Sequence, residues 1–268
     1  MKYQPYRFPN DINYKHFFKF KKDMITAPNS LWRALSLSSK SVYPVIGCHC
    51  NAEGKAFPSQ QTIGDLAGLT RKTVREGVEG LMALPWFTIS NKINAKGMRT
   101  KMYVIDQDKT LMFPFHKSIL ESGIWRELST GNNSKSAHAV YCVCRAYGFQ
   151  DVDLFNETEK TDHGEDDFWT DVYPYRDFDF LEAHLDVIAE KAGVSINTAQ
   201  KAMNALMELW LLEFDELAYC YRILFTPKKY FKREYLNSEL EKTQERPGKM
   251  HWSRQDENQK LPTKKVET

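Results

Sequence analysis

The densest chemistry in the sequence is cationic. Arg71-Lys72-Thr73-Val74-Arg75 follows Gly68-Leu69-Thr70, and Lys92, Lys96, Arg99 and Lys101 crowd residues 91–101, a stretch without a single acid. An Arg guanidinium can bridge guanine O6 and N7 or clamp a phosphate, a Lys neutralises phosphate as a point charge, and Thr hydroxyls and Gln amides bond phosphate oxygens. These residue types at this density suit a nucleic-acid polyanion, with Gln60, Thr70, Arg71, Lys72, Thr73, Arg75, Lys92, Lys96, Arg99 and Lys101 as the candidate contacts to double-stranded DNA. The plain alternative is a solvated cationic face, which requires two separate segments to be basic by coincidence.

The elements that must carry these residues are legible around them. Ser59 can cap a helix from Gln60 to Ala67 with Ile63, Leu66 and Ala67 on one side; Gly68 supplies a turn, and Thr70 caps a second helix bearing Val74, Val78 and Leu81 at helical spacing. Side chains just after such a cap are the ones a helix-turn-helix presents to base edges in the major groove. Pro85 ends the second helix. Trp86 to Ile89 and Met102 to Ile105, joined through a turn at Gly97, read as a hairpin whose basic tip would lie along the DNA backbone or in the minor groove. Helix-turn-helix plus hairpin is a winged helix.

The chain repeats this plan. Trp32-Arg33-Ala34-Leu35-Ser36, then Ser39-Lys40-Ser41 and a Cys-x-Cys ending at Cys50, is echoed by Trp125-Arg126-Glu127-Leu128-Ser129, Ser134-Lys135-Ser136 and a Cys-x-Cys ending at Cys144. Ile63 to Val74 is likewise echoed by Ile188 to Ala199, which leads into Leu211-Leu212-Glu213-Phe214 and Tyr219 to Phe225 as a shorter hairpin. Two echoes in the same order imply a tandem duplication. The expected fold is mainly α with small β-hairpins, organised as two tandem winged helices: an N-terminal arm over 1–24, a DNA-binding domain over 25–110, a second domain over 111–236 with an acidic insertion at 151–180, and a disordered tail over 237–268.

The Trp-x-x-Leu-Ser and Ser-Lys-Ser element ahead of Phe57-Pro58-Ser59 and Gly68-Leu69-Thr70-Arg71-Lys72-Thr73-Val74 resembles replication-initiator and helix-turn-helix proteins of bacterial plasmids, phages and related mobile elements. The resemblance covers about residues 25–228 and implies a DNA-binding protein that recognises repeated origin sites as a homodimer or oligomer and recruits a host replication protein. A transcriptional regulator, and an adaptor whose winged helices bind protein, use the same parts.

Charge separates the two copies. Residues 1–110 hold 17 basic and 8 acidic side chains, a net of +9, whereas residues 151–179 hold 2 and 11, and residues 180–226 hold 3 and 7. In the second copy Ser195, Asn197, Thr198, Gln200 and Lys201 stand where a second DNA reader would have its contacts, but the hairpin tip Asp215-Glu216 would repel phosphate. The copy is expected to serve dimerisation or partner binding ahead of DNA reading, and the two copies are expected to act separately when cut apart. Within the insertion, Asp166, Asp167, Phe168, Trp169, Tyr173 and Tyr175 form an acidic aromatic patch that is either a solvated loop or a docking surface for a partner protein. Tyr14 to Lys22 mixes aromatic and basic residues and is open to two readings, an arm reaching DNA or a segment packed on the first domain.

Other constellations carry less. Cys48-His49-Cys50 and Cys142-Val143-Cys144 fall where the first helix of each copy should run, and residues two apart on a helix point roughly 200° apart, so core thiols are expected in place of a metal site. No phosphate-loop motif and no His-x-His pair of a nickase occurs, so neither an enzyme nor a cofactor is expected. No run of 18 apolar residues and no secretory leader is present, which makes a cytoplasmic protein without membrane partners the expectation.

Overall fold

The computed structural model describes residues 17–93, 99–106, 112–130, 135–149, 178–215 and 220–224. The architecture is mixed α and β with small antiparallel sheets. The first half runs β1 (Phe17–Lys21), α1 (Asp23–Thr26), α2 (Leu31–Ala34), α3 (Leu37–Cys48), β2 (Lys55–Ala56), α4 (Gln60–Ala67), α5 (Arg71–Leu81), β3 (Phe87–Ile93) and β4 (Arg99–Ile105). The second runs β5 (Met112–His116), α6 (Ser118–Glu121), α7 (Ile124–Glu127), α8 (Ser136–Ala146), β6 (Gly148–Phe149), β7 (Phe178–Leu181), α9 (Leu185–Ala192), α10 (Ile196–Glu208), β8 (Leu212–Asp215) and β9 (Cys220–Leu224). Sheet orders β2-β4-β3 and β7-β9-β8 match position for position, with β6 added on the edge of the second.

Local chemistry accounts for the paired helices. Ser59 caps α4 by accepting from the Thr62 amide at 3.0 Å, and Thr70 and Ser195 cap α5 and α10 by accepting from the amides of Thr73 and Thr198. Gly68 and Gly193 close the preceding helices at φ of +66° and +68°, a left-handed conformation that a Cβ makes costly. Helix α5 then buries Val74, Gly77, Val78 and Leu81 against α3. Its glycines have a packing reason: a Cβ on Gly77 would stand 2.8 Å from the Ser38 carbonyl oxygen, and one on Gly80 would strike the Ser39 hydroxyl, which itself donates to the Gly77 carbonyl oxygen. In α10 the corresponding positions are Ala202 and Ala205, both buried.

The repeat reaches further back than its sequence echoes. Strand β1 precedes α1–α3 as β5 precedes α6–α8, and the two strands pair antiparallel about Lys19 and Pro114. Phe18 and Phe20 of β1 are buried, so within the segment expected as an arm, residues 17–21 are a core strand. Phe20 stacks on Phe113 at 4.7 Å and meets Trp32 and Tyr43 edge-on, while Phe115 meets Trp125 and Tyr141 edge-on. Each half therefore closes on its own aromatic trio, and the trios join across the β1–β5 ladder.

Contacts between the halves are reciprocal, as across a two-fold axis. The Trp32 indole N–H donates to the Ala139 carbonyl oxygen in α8, and that of Trp125 donates to the Ser41 carbonyl oxygen in α3. Ser129 reaches the end of α4, donating to the carbonyl oxygens of Ala67 (2.7 Å) and Gly68 (3.2 Å). Lys40, 1% exposed, reaches the end of α9 and donates to Ala192 at 2.8 Å as well as to Arg33 at 3.3 Å. Ser129, ahead of α8, and Lys40, in the first turn of α3, thus each grip the helix-pair turn of the other half. The buried residues of both halves form one continuous core.

Candidate nucleic-acid interface

Helix α5 presents its first turn outward. Arg71, Lys72 and Arg75 are exposed, Thr73 is half-buried, and the Thr70 hydroxyl lies 2.9 Å from that of Thr73 in the cap. The cations sit at the helix end where unpaired amides and the macrodipole add positive potential, while the exposed acids Glu76 and Glu79 begin one turn later. Gln60 is the half-buried first residue of α4. A phosphate meeting this surface finds amide donors, hydroxyls and guanidinium groups on one side of the helix pair.

Strands β3 and β4 carry the second set of cations. Their ladder runs from Phe87↔Ile105 to Ile93↔Arg99, and from Ser90 to Ile93 every residue of β3 is exposed, so the ribbon projects past the core. Lys92 and Lys101 are exposed on it, and the Lys92 ammonium lies 5.5 Å from the ring centre of Phe57, itself 43% exposed. That cation–π contact ties the ribbon to the segment entering α4. Phe57 was not among the sequence candidates; its place beside Pro58-Ser59 was the available signal. Arg99 opens β4, and Lys96 lies outside the described residues.

The second copy has the same frame with different side chains. Ser195 caps α10, its hydroxyl 2.8 Å from that of Thr198, and Asn197 and Lys201 are exposed. Gln200 is half-buried, donates to the Asn204 side-chain oxygen at 3.4 Å and lines a cleft of about 330 Å³ with Met203 and Tyr221. Ile196, absent from the sequence candidates, is 54% exposed at the start of the helix. Asp215, counted above as a repulsive wing charge, is 6% exposed and accepts from both Nε and Nη2 of Arg222, so its charge is cancelled inside the sheet. Asp166, Asp167, Phe168, Trp169, Tyr173 and Tyr175 lie outside the described residues.

The remaining reactive groups are structural in their surroundings. Cys48, Cys142 and Cys144 are buried on α3 and α8, and desolvation pushes the Cys144 thiol up to about 12, out of the range of a reactive thiolate. Among the described residues no group of three His, Cys, Asp or Glu side chains is placed to hold a metal, and no helix is long and apolar enough to cross a membrane. His138 is fully buried between Ser41 and the Trp125 carbonyl oxygen, and desolvation lowers its pKa to about 4. Comparison with protein-family models, with curated proteins and with solved structures yields no match.

Proposed function

We propose that this chain is a sequence-specific double-stranded DNA-binding protein built from two winged-helix repeats, and that it acts as the replication initiator of a plasmid, phage or related mobile element. The observation that carries DNA binding is the joint exposure of Arg71, Lys72 and Arg75 on the first turns of α5 with Lys92 and Lys101 on the projecting ribbon. Helix and ribbon belong to different elements, and both expose cations, the residue types a duplex requires of a reading helix and its wing. The initiator role rests on the resemblance of the Trp-x-x-Leu-Ser and Gly-Leu-Thr-Arg-Lys-Thr-Val elements, and the acidic, aromatic composition of Asp166 to Tyr175 is complementary in charge to a basic host replication factor.

Two experiments test the two levels. Electrophoretic shifts with duplexes selected from a random pool should show specific binding that Arg71→Ala, Lys72→Ala and Arg75→Ala together abolish; wild-type affinity in that triple variant would remove α5 from the interface. A plasmid carrying the gene with its flanking DNA should replicate autonomously. If no fragment replicates and promoter activity changes instead, the protein is a transcriptional regulator.

A further inference from the structure

The capped starts of α5 and α10 align the two helices residue by residue. Thr70 and Ser195 occupy the cap, Thr73 and Thr198 receive the capping bond, and the residues between and beyond them therefore correspond: Arg71 with Ile196, Lys72 with Asn197, Arg75 with Gln200. Both helices expose the same side, because both bury the face at Val74 and Ala199 against their long helix. At each matched position a guanine- or phosphate-seeking cation in the first copy is an uncharged group in the second.

From this correspondence, and resting on the DNA-binding reading above, we infer that the exposed face of α10 is a second base reader and that its half-site contains A·T pairs. Asn197 makes the bidentate contact to adenine N6 and N7, and Ile196 packs on the 5-methyl group of thymine. Gln200, turned along its own helix to Asn204 and into the cleft beside Tyr221, contributes less. Lys201 supplies a phosphate contact, and the helix carries no acid before Glu208. The objection from an acidic wing loses one of its two charges to the buried Asp215–Arg222 pair. The interlock of Lys40 with Ala192 and of Ser129 with Ala67 holds both helix pairs to the same core, so a single chain presents two unlike readers in fixed relation: one for G-containing sequence under α5, one for A·T sequence under α10.

The test selects binding sites for the full-length protein from a random duplex pool, in parallel for wild type, Arg71→Ala/Arg75→Ala and Ile196→Ala/Asn197→Ala. The expected wild-type site has two modules. The first variant loses the G-containing module and the second loses the A·T module, with a drop of about tenfold or more in affinity for the wild-type site. Replacing thymine by uracil in the A·T module should weaken wild-type binding about threefold to fivefold and leave Ile196→Ala unchanged, since only the methyl contact is removed. Transplanting the first copy's pair, Ile196→Arg with Asn197→Lys, should convert the A·T module to a G-containing one. Ile196 and Asn197 are exposed, and an unchanged melting temperature verifies folding. A one-module site, unaltered in the Ile196→Ala/Asn197→Ala selection but lost with Arg71→Ala/Arg75→Ala, would overturn the inference and leave DNA binding by α5 standing. Enrichment of no duplex by wild type would overturn both.

Discussion

The Ser129 hydroxyl donates to the carbonyl oxygen of Ala67 across 2.7 Å, seating the Leu128-Ser129 corner of the second half on the last carbonyl of α4 in the first. A Cβ on the adjoining Gly68 would collide with that hydroxyl, so the glycine is required twice, by its positive φ and by its neighbour. The helix pair that carries Arg71 is thereby positioned by a residue some sixty places along the chain.

Gly68→Ala should cost about 1–2 kcal/mol for the left-handed backbone alone, and more for the collision. Ser129→Ala should cost about 1 kcal/mol in the wild type through loss of the bonds to Ala67 and Gly68, and less in the Gly68→Ala background, where it also removes the closer of two clashes and leaves the one with the Arg126 carbonyl oxygen at 2.8 Å. Urea unfolding of the four proteins measures the coupling. At Gly193 a new Cβ meets the Arg33 carbonyl oxygen at 2.7 Å, which is backbone, so no side-chain truncation should rescue Gly193→Ala.

Stability should fall steeply in mild acid because of His138. Its folded-state pKa of about 4 lies below the unfolded value of 6.5, so the unfolded chain binds the extra proton first as pH falls. Full stability is present above pH 6.5, is lost between 6.5 and 4, and the loss amounts to something on the order of 3 kcal/mol. His138→Gln should be less stable at pH 7 and flatter across that window, as read by thermal melts at intermediate pH values.

Replacing Gly77 with Ala tests the close approach of α3 and α5. In a solvated helix this change stabilises by about 1 kcal/mol. Here the new Cβ meets the Ser38 carbonyl oxygen, and a net loss of about 1–3 kcal/mol is expected in chemical denaturation. Ala202→Gly in α10 should also destabilise, by about 1 kcal/mol, since that crossing already accommodates a methyl group.

The interlock predicts that fragments 1–108 and 109–268 fail singly and succeed together. Trp32 and Trp125 are each fully buried and each donates to the other half, so either fragment alone exposes the β1–β5 ladder and the end of a helix pair. Separate expression should give molten or aggregated chains, and co-expression a folded complex with the near-ultraviolet circular dichroism of the intact protein. A well-folded first fragment with a native spectrum would show the halves to be independent.

On the ribbon, Lys92→Gln with Lys101→Gln should weaken binding to every duplex and reduce the slope of log affinity against log salt by about 2, one phosphate per cation. Sequence preference should stay that of wild type, because backbone contacts carry no base information. Binding at three salt concentrations to a selected and a scrambled duplex separates the two effects.

Local order in this protein is written locally. Ser59, Thr70 and Ser195 cap the helices that their positions in the sequence imply, Gly68 and Gly193 turn them, and α4 spans Gln60–Ala67 as the apolar spacing requires, because capping and periodicity act over a few residues. The duplication was legible for the same reason, through short echoes such as Trp32 to Ser36 and Trp125 to Ser129. What the echoes could not carry is which copy each segment serves. Trp32 and Lys40 hydrogen-bond to the second copy and Trp125 and Ser129 to the first, a choice made by the β1–β5 ladder and by burial of two aromatic trios in one core. Charge counts erred similarly: Asp215 counts as a wing acid in sequence, but in the sheet it is buried against Arg222, because the net field at a surface depends on which charges reach it. The residues able to touch a ligand are set by sequence, and their exposure and their partners by packing between halves that are distant in the chain.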